Sequence, residues 1–219
     1  MQMPGQKSSL VVPFALIQVL GLSLALVASG CTGRVSGVKS EQGTPAGEIT
    51  NLGGRVIVDK QSPDKPVIFV DLESTKVTDA GLEHLEGFTK LQRLNLANTK
   101  VTDEGLQHLK ELINLRRLNL AHTKVIGPGL EHLKGLAQLQ LLDLSGTQIT
   151  NAGLEHLKGL TNVQMLYLKN TKVSDAGLEH LKGLTNLQML DLSNTEVTDW
   201  SVGLKKLRQA LPDCEMLVR

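Results

Sequence analysis

Five histidines, His84, His108, His132, His156 and His180, recur every 24 residues, and imidazole is the side chain best suited to hold a metal or move a proton near neutral pH. Zinc needs three or four donor atoms at about 2 Å, whereas helices stacked one repeat apart lie roughly 8–10 Å from each other. At most two of these rings could reach one ion, so the ladder reads as a solvated position and no metal site is expected. Thr99, Thr123, Thr147, Thr171 and Thr195 recur at the same period. No base accompanies them, so they are not five nucleophiles. Asp143 and Asp191 flank Tyr167 at 24-residue intervals. Two strands apart, their carboxylates would lie about 10 Å from each other, near the upper limit for an inverting acid–base pair, on an open surface that does not exclude water. The chain has no phosphate loop, nucleophile elbow, metalloprotease helix or paired-cysteine zinc motif. These residues point away from catalysis, and the chain is read as non-enzymatic and without a cofactor.

The elements behind this spacing follow from one segment. Thr75 to Asn98 returns four more times, opening at Thr99, Thr123, Thr147 and Thr171, and a divergent copy opens at Thr195. Leu91, Leu94 and Leu96 follow L-x-x-L-x-L, and the period of two across Leu94-Asn95-Leu96 predicts a short strand with leucines inward and Arg93, Asn95 and Ala97 outward. Leu82, Leu85 and Phe88 then fall three apart, which predicts one buried stripe of a helical or 3₁₀ turn begun by Thr78 and Asp79. Burying the seven apolar positions of a unit contributes roughly 1.5–3 kcal/mol each, while ordering its backbone costs about 1–2 kcal/mol per residue. A single unit should therefore not fold alone. Stacking supplies the missing burial and predicts an α/β solenoid: a curved parallel sheet on the concave face and short helices on the convex face.

Open solenoids need covered ends. Residues 49–74 are expected to form an N-terminal cap, a hairpin of Arg55 to Val58 and Val67 to Val70 that feeds the first parallel strand. Residues 75–194 hold five repeats. Residues 195–219 are expected to form a capping repeat in which Asp199 precedes an amphipathic stretch with Trp200, Leu204, Leu207 and Leu211. Adding 24 to Leu187, Leu190 and Leu192 lands on Leu211, Cys214 and Met216, so Cys214 is expected to be a buried, inert core thiol.

Cys31 follows Leu10 to Ser29, an uncharged and largely apolar stretch preceded by Lys7 as its only charge. That layout is a secretory signal, residues 1–30, and Val27-Ala28-Ser29-Gly30-Cys31 resembles a bacterial lipoprotein box with Cys31 as the lipidated residue. The stretch is also about long enough to span a bilayer, so an uncleaved anchor or an ordinary cleaved signal fits it too. Residues 31–48, rich in Gly, Ser and charge, read as a flexible tether. Membrane attachment through lipid or anchor is thus expected, at the cell envelope outside the cytoplasm. Thr32 after Cys31 differs from the Asp that retains enteric lipoproteins at the inner membrane, a similarity that favours the outer membrane. Removing residues 1–30 takes away Lys7 and no acid, so the formal charge falls from +1 to 0. A neutral domain is a poor match for nucleic acid, which demands a basic face.

Function is sought on the outward strand positions, which repeats can vary without harming the core. A central ladder runs Asp71, Asn95, Asn119, Asp143, Tyr167, Asp191 and Glu215; the ladder before it runs Phe69, Arg93, Arg117, Leu141, Met165 and Met189; the ladder after it runs Glu73, Ala97, Ala121, Ser145, Lys169 and Ser193. The single tyrosine, Tyr167, is bordered by Leu141, Met165 and Met189, with Asp143 and Asp191 beside it. A tyrosine among flexible apolar neighbours with a polar rim has the composition of a protein-binding hot spot. Arg93 and Arg117 offer a second, basic patch.

Residues Val67 to Arg219 closely resemble the leucine-rich repeat family. The unit T-x-V-T-D-x-G-L-x-x-L-x-x-L-x-x-L-x-x-L-x-L is similar to repeats of bacterial secreted and lipid-anchored members of the internalin-like type. It is also similar to the repeats of F-box ubiquitin ligase adaptors, which share V-T-D-x-G-L. Here threonine stands in place of their cysteine and an export signal leads the chain, so the adaptor role fits less well. The resemblance implies a binding scaffold whose target differs from member to member: a membrane-tethered module for a protein partner, or a structural envelope protein that associates with copies of itself.

Overall fold

Leucines on one side of a three-residue strand are buried only if neighbouring strands extend the same layer, and the chain achieves this by stacking. The structure, a computed structural model, describes residues 43–218. Within them one eight-stranded sheet runs in chain order: β1 (Arg55–Val58), β2 (Val67–Asp71), β3 (Arg93–Asn95), β4 (Arg117–Asn119), β5 (Leu141–Asp143), β6 (Met165–Tyr167), β7 (Met189–Asp191) and β8 (Glu215–Leu217). β1 pairs with β2 antiparallel, and every later pair is parallel. From β2 to β7 the register advances by one repeat per strand, so Leu94, Leu118, Leu142, Leu166 and Leu190 meet in one inward row, each at most 2 % exposed. The buried leucines of all units form one continuous cluster.

Behind the sheet each unit makes a short 3₁₀ helix: Asp79–Leu85, Glu104–Leu109, Pro128–Leu133, Glu155–Leu157 and Asp175–Leu181. The fourth is preceded by a single α-helical turn, α2 (Asn151–Leu154), and two longer α-helices close the ends, α1 (Pro45–Asn51) and α3 (Val202–Ala210). Leucines three apart suit the three-residue turn of a 3₁₀ helix; hence Leu82 and Leu85 are both fully buried.

The threonine ladder is the bend after each strand. The hydroxyls of Thr99, Thr123, Thr147 and Thr171 each donate to the carbonyl three residues back at 2.6–2.7 Å, and all four side chains are buried. The residue before each threonine holds a left-handed backbone: Asn98, His122, Gly146, Asn170 and Asn194 have φ between 55° and 67°. Asn and Gly tolerate that region best.

A second tie crosses between units at the start of the 3₁₀ helices. Asp79 accepts from the Thr102 amide and hydroxyl, both at 2.8 Å, and Asn151 accepts from the Ser174 amide at 2.9 Å. Asp103 accepts from the amides of Ile126, Gly127 and Gly129 at 2.7–3.0 Å. The third unit thus departs from V-T-D at Val125-Ile126-Gly127 without losing its link. Gly127 sits at φ 137°, and a Cβ there would lie 2.7 Å from the Gly153 backbone.

Five expectations are corrected. Residues 45–48 belong to α1, whose Ile49 plugs the first leucine layer and is fully buried, so the expected tether of 31–48 overlaps the cap. Ala97 and Ala121 are 4 % and 8 % exposed, so the third ladder is covered at its two alanines, while Glu73 and Lys169 in the same ladder stay exposed. The terminal unit is longer than the others: Leu190 pairs with Met216, 26 positions on, and Met189 with Glu215. Glu215 therefore extends the Arg93–Met189 ladder and not the central one. Cys214 precedes β8 and is half-buried instead of filling a leucine site; burial, and then Glu215, push its thiol up to about 11. The two extra residues are Trp200 and Ser201, as Val202-Gly203-Leu204 then matches Ala80-Gly81-Leu82. Ser201, not Asp199, caps α3, and Trp200 is 86 % exposed. The loop around this insertion is re-routed, and Asp175, the counterpart of Asp79 and Asp103, has a buried Oδ1 without a partner among the described residues.

Asp103→Ala removes the shared acceptor of three amides and should lower the unfolding free energy by about 1–3 kcal/mol. Urea denaturation followed by circular dichroism measures this loss; an unchanged midpoint would show that water replaces the carboxylate at no cost.

Candidate partner-binding face

The central ladder has a structural task that sequence reasoning missed. The side-chain oxygens of Asp71, Asn95, Asn119, Asp143 and Asp191 accept from the backbone N–H two residues on, at 2.9–3.2 Å, closing the turn at each strand end. Short carbonyl-bearing side chains do this best, which explains why five of the six positions from β2 to β7 carry Asp or Asn. The signal is present in the sequence as that restriction. From β2 to β7 Tyr167 alone gives the contact up; the remaining exception, Leu217, lies in the last strand of the described residues.

The parallel register places Leu141, Met165 and Met189 side by side on β5, β6 and β7, with Asp143, Tyr167 and Asp191 as the next row. All six are partly exposed on the outer side of the sheet. The Tyr167 hydroxyl lies 3.7 Å from Met165 Sδ and 3.5 Å from Met189 Sδ, close enough to donate to either. Burial, and then the charges of Asp143 and Asp191, push the phenol above its ordinary range. Neutral Tyr167 is the form that this setting favours, an amphipathic ring with sulfur on one side and carboxylates beyond. Asp143 and Asp191 each commit one oxygen to their turn and keep the other for outside contacts.

Arg93 and Arg117 are register neighbours on β3 and β4, both exposed. Arg93 lies over the Phe69 ring at 5.2 Å from its centre, a cation–π contact that flattens the guanidinium onto the sheet. At the N-terminal margin Arg55 pairs with Asp71, and Asn95 donates to Asp71 at 3.1 Å and Glu73 at 2.9 Å, so these acids are internally engaged. The basic patch adjoins the Tyr167 group along one ladder, since Arg117 pairs in register with Leu141.

The best-formed clefts, of about 290 and 330 Å³, are lined by N-terminal residues such as Arg55, Asp71, Asp59 and Arg116, and not by the Tyr167 group. The Tyr167 face is open surface. The histidines stay one to a unit; His108 meets Glu86 at 2.6 Å. Among the described residues no three His, Cys, Asp or Glu converge as a metal site. Nor is any described helix long and apolar enough to cross a membrane. Cys31 and the stretch Leu10 to Ser29 lie outside the described residues.

Known proteins bear on this geometry. A leucine-rich repeat family profile matches residues 137–197, and a second matches residues 89–110. No curated protein matches the chain. Among solved structures, a leucine-rich repeat protein of Leptospira interrogans is similar at 22% identity and TM-score 0.52, covering 61% of this chain and 33% of that one. Internalin F of Listeria monocytogenes is similar at 21% identity and TM-score 0.50, covering 79% and 54%. Internalin C2 of the same organism is similar at 20% identity and TM-score 0.48, covering 70% and 81%. The chain thus spans only part of the length of the first two. The profile matches to two segments, the unbroken parallel sheet and its leucine layers together show a leucine-rich repeat solenoid fold.

Proposed function

We infer that the chain is an exported, membrane-tethered binding module, without catalytic chemistry, that holds a protein partner on the outer face of β5, β6 and β7. The observation that carries this reading is Tyr167: at the one position from β2 to β7 where the turn-closing Asp or Asn is abandoned, the chain places its only tyrosine, seated between two methionines. A rigid aromatic offers large contact area at small entropic cost, and flexible thioethers adapt to the partner around it. The flat, open setting suits a macromolecule better than a small ligand, which is held in concave pockets. Asp143 and Asp191 give the rim an acidic character, and Arg93 with Arg117 provides a basic counterpart toward the N-terminal end. Such a division of charge orients a partner and speeds its encounter more than it strengthens the complex. Lipidation of Cys31 is the tether in this reading, with the chain ahead of α1 as spacer and the outer membrane as the site. The fold shared with internalin F and the Leptospira protein supports a scaffold role, and the choice of partner rests with these exposed side chains.

Three measurements follow. Tyr167→Ala with Met165→Ala should leave the melting temperature within about 2–4 °C, a loss of about 1 kcal/mol or less for a domain of this size, yet abolish capture of the native partner from solubilised envelope extract; undiminished capture would remove this face from consideration. The phenolate band of the sole tyrosine should emerge above the ordinary phenol range, and Asp143→Asn should shift it downward, since one of the charges opposing ionisation is gone; an unmoved band would show that Asp143 does not act on the phenol. The mass of the N-terminal peptide from native membranes should be that of acylated Cys31, and an unmodified peptide that begins at Met1 would contradict the tether.

A further inference from the structure

The terminal unit differs from the five before it by an insertion of Trp200 and Ser201, and the two residues have different fates. Ser201 is absorbed into the fold as the cap of α3: it is 8 % exposed, and its Oγ accepts from the Leu204 amide at 3.0 Å. Trp200 is left outside at 86 % exposure, the only tryptophan of the chain. The insertion coincides with the loss of the inter-unit tie at Asp175, whose Oδ1 is orphaned. The interior gains no aromatic in return, so the ring is placed for contact with something other than this domain.

The surroundings say what that something is. With about 100° of rotation per residue, Leu204, Leu207 and Leu211 of α3 share the inward side, and all three are buried. Val202, Lys205, Lys206 and Gln209 fall on the opposite side; Val202 is 67 % exposed and the lysines are exposed as well. Two neighbouring acids are engaged, as Asp199 faces Arg208 at 3.6 Å and Glu179, which also feels Lys206, is held by Lys182 at 2.9 Å, while Asp175, packed against Gly203, offsets only one of the two lysines. Lys205 and Lys206 therefore leave a local excess of positive charge next to an exposed tryptophan and valine.

We propose that this end of the solenoid docks on an anionic phospholipid surface, with Trp200 and Val202 entering the headgroup boundary and Lys205 and Lys206 meeting lipid phosphates. Tryptophan settles at that boundary because its ring is apolar and its indole N–H still finds acceptors there. Lysines reach anionic headgroups with the ammonium in water and the stem against the hydrocarbon edge. A protein interface of ordinary size needs a far wider apolar core than two side chains, whereas a charged interfacial contact does not. The proposal does not depend on the Tyr167 face, which lies on the sheet and not on this helix.

The test uses the full chain with vesicles of phosphatidylcholine alone or mixed with phosphatidylglycerol. The N-terminal stretch could carry the protein onto either vesicle, so the readout is the emission of Trp200 and its quenching by acrylamide, not binding. With phosphatidylglycerol present, the emission should move to the blue and quenching should fall severalfold; phosphatidylcholine alone should leave both close to their values in buffer. About 1 M salt, where the screening length is about 3 Å, should reverse the change. Lys205→Gln with Lys206→Gln should shift the docked–undocked equilibrium roughly 30-fold toward undocked, with the far-ultraviolet spectrum unchanged. Unaltered emission on anionic vesicles would overturn the proposal. So would an equal change on neutral vesicles, or protection that grows with protein concentration in the absence of lipid, which would make this end a contact between copies.

Discussion

Each leucine layer is completed by the unit next to it, and the rest of the structure depends on that sharing. A strand of three residues brings only one inward side chain of its own, such as Leu118, and that side chain reaches zero exposure because Leu94 and Leu142 stand on either side. The parallel register and the 24-residue period are two expressions of this constraint. A slip of one residue in the strand register would send the leucines to the outer face. The conserved chemistry of the interior thus leaves the outer strand positions as the places where the units can differ.

Those outer positions divide into two kinds. The Asp and Asn residues of the central ladder close turns, and their repetition is structural even though all but the buried Asp71 are partly exposed to solvent. Tyr167 breaks the series, and Leu141, Met165 and Met189 replace the arginines found at the same level in β3 and β4. The same contrast applies at the terminal unit, where Ser201 serves the helix and Trp200 serves nothing inside. Function in a repeat array is best sought where a unit abandons a contact that its neighbours keep.

Most of the fold was legible in the sequence because periodicity and burial are the same quantity in a solenoid. The spacing of Leu91, Leu94 and Leu96 predicts the strand, its inward face and its neighbours together. The misjudged places are those where periodicity stops being informative. Extending the 24-residue count past Thr195 put Cys214 in the core, whereas the V-G-L match at Val202 to Leu204 marks a two-residue insertion before it. Helix α1 carries a Thr44 cap with Pro45 behind it, a local helix start, but its Gly-rich approach masked the signal. The turn-closing role of the central ladder could be read from its restriction to Asp and Asn. The sulfur contacts of Tyr167 could not, because they depend on methionine rotamers that register alone does not determine.

Native-state hydrogen exchange tests the shared interior most directly. The strand amides of Leu118, Leu142 and Leu166 lie in the middle of the array, and each unit here is too small to persist once its neighbours open. Their protection should therefore correspond to one common opening free energy that falls in parallel as urea is added. Separate plateaus, with one central unit exchanging while those beside it stay protected, would mean that the repeats are independent packets and would contradict the account.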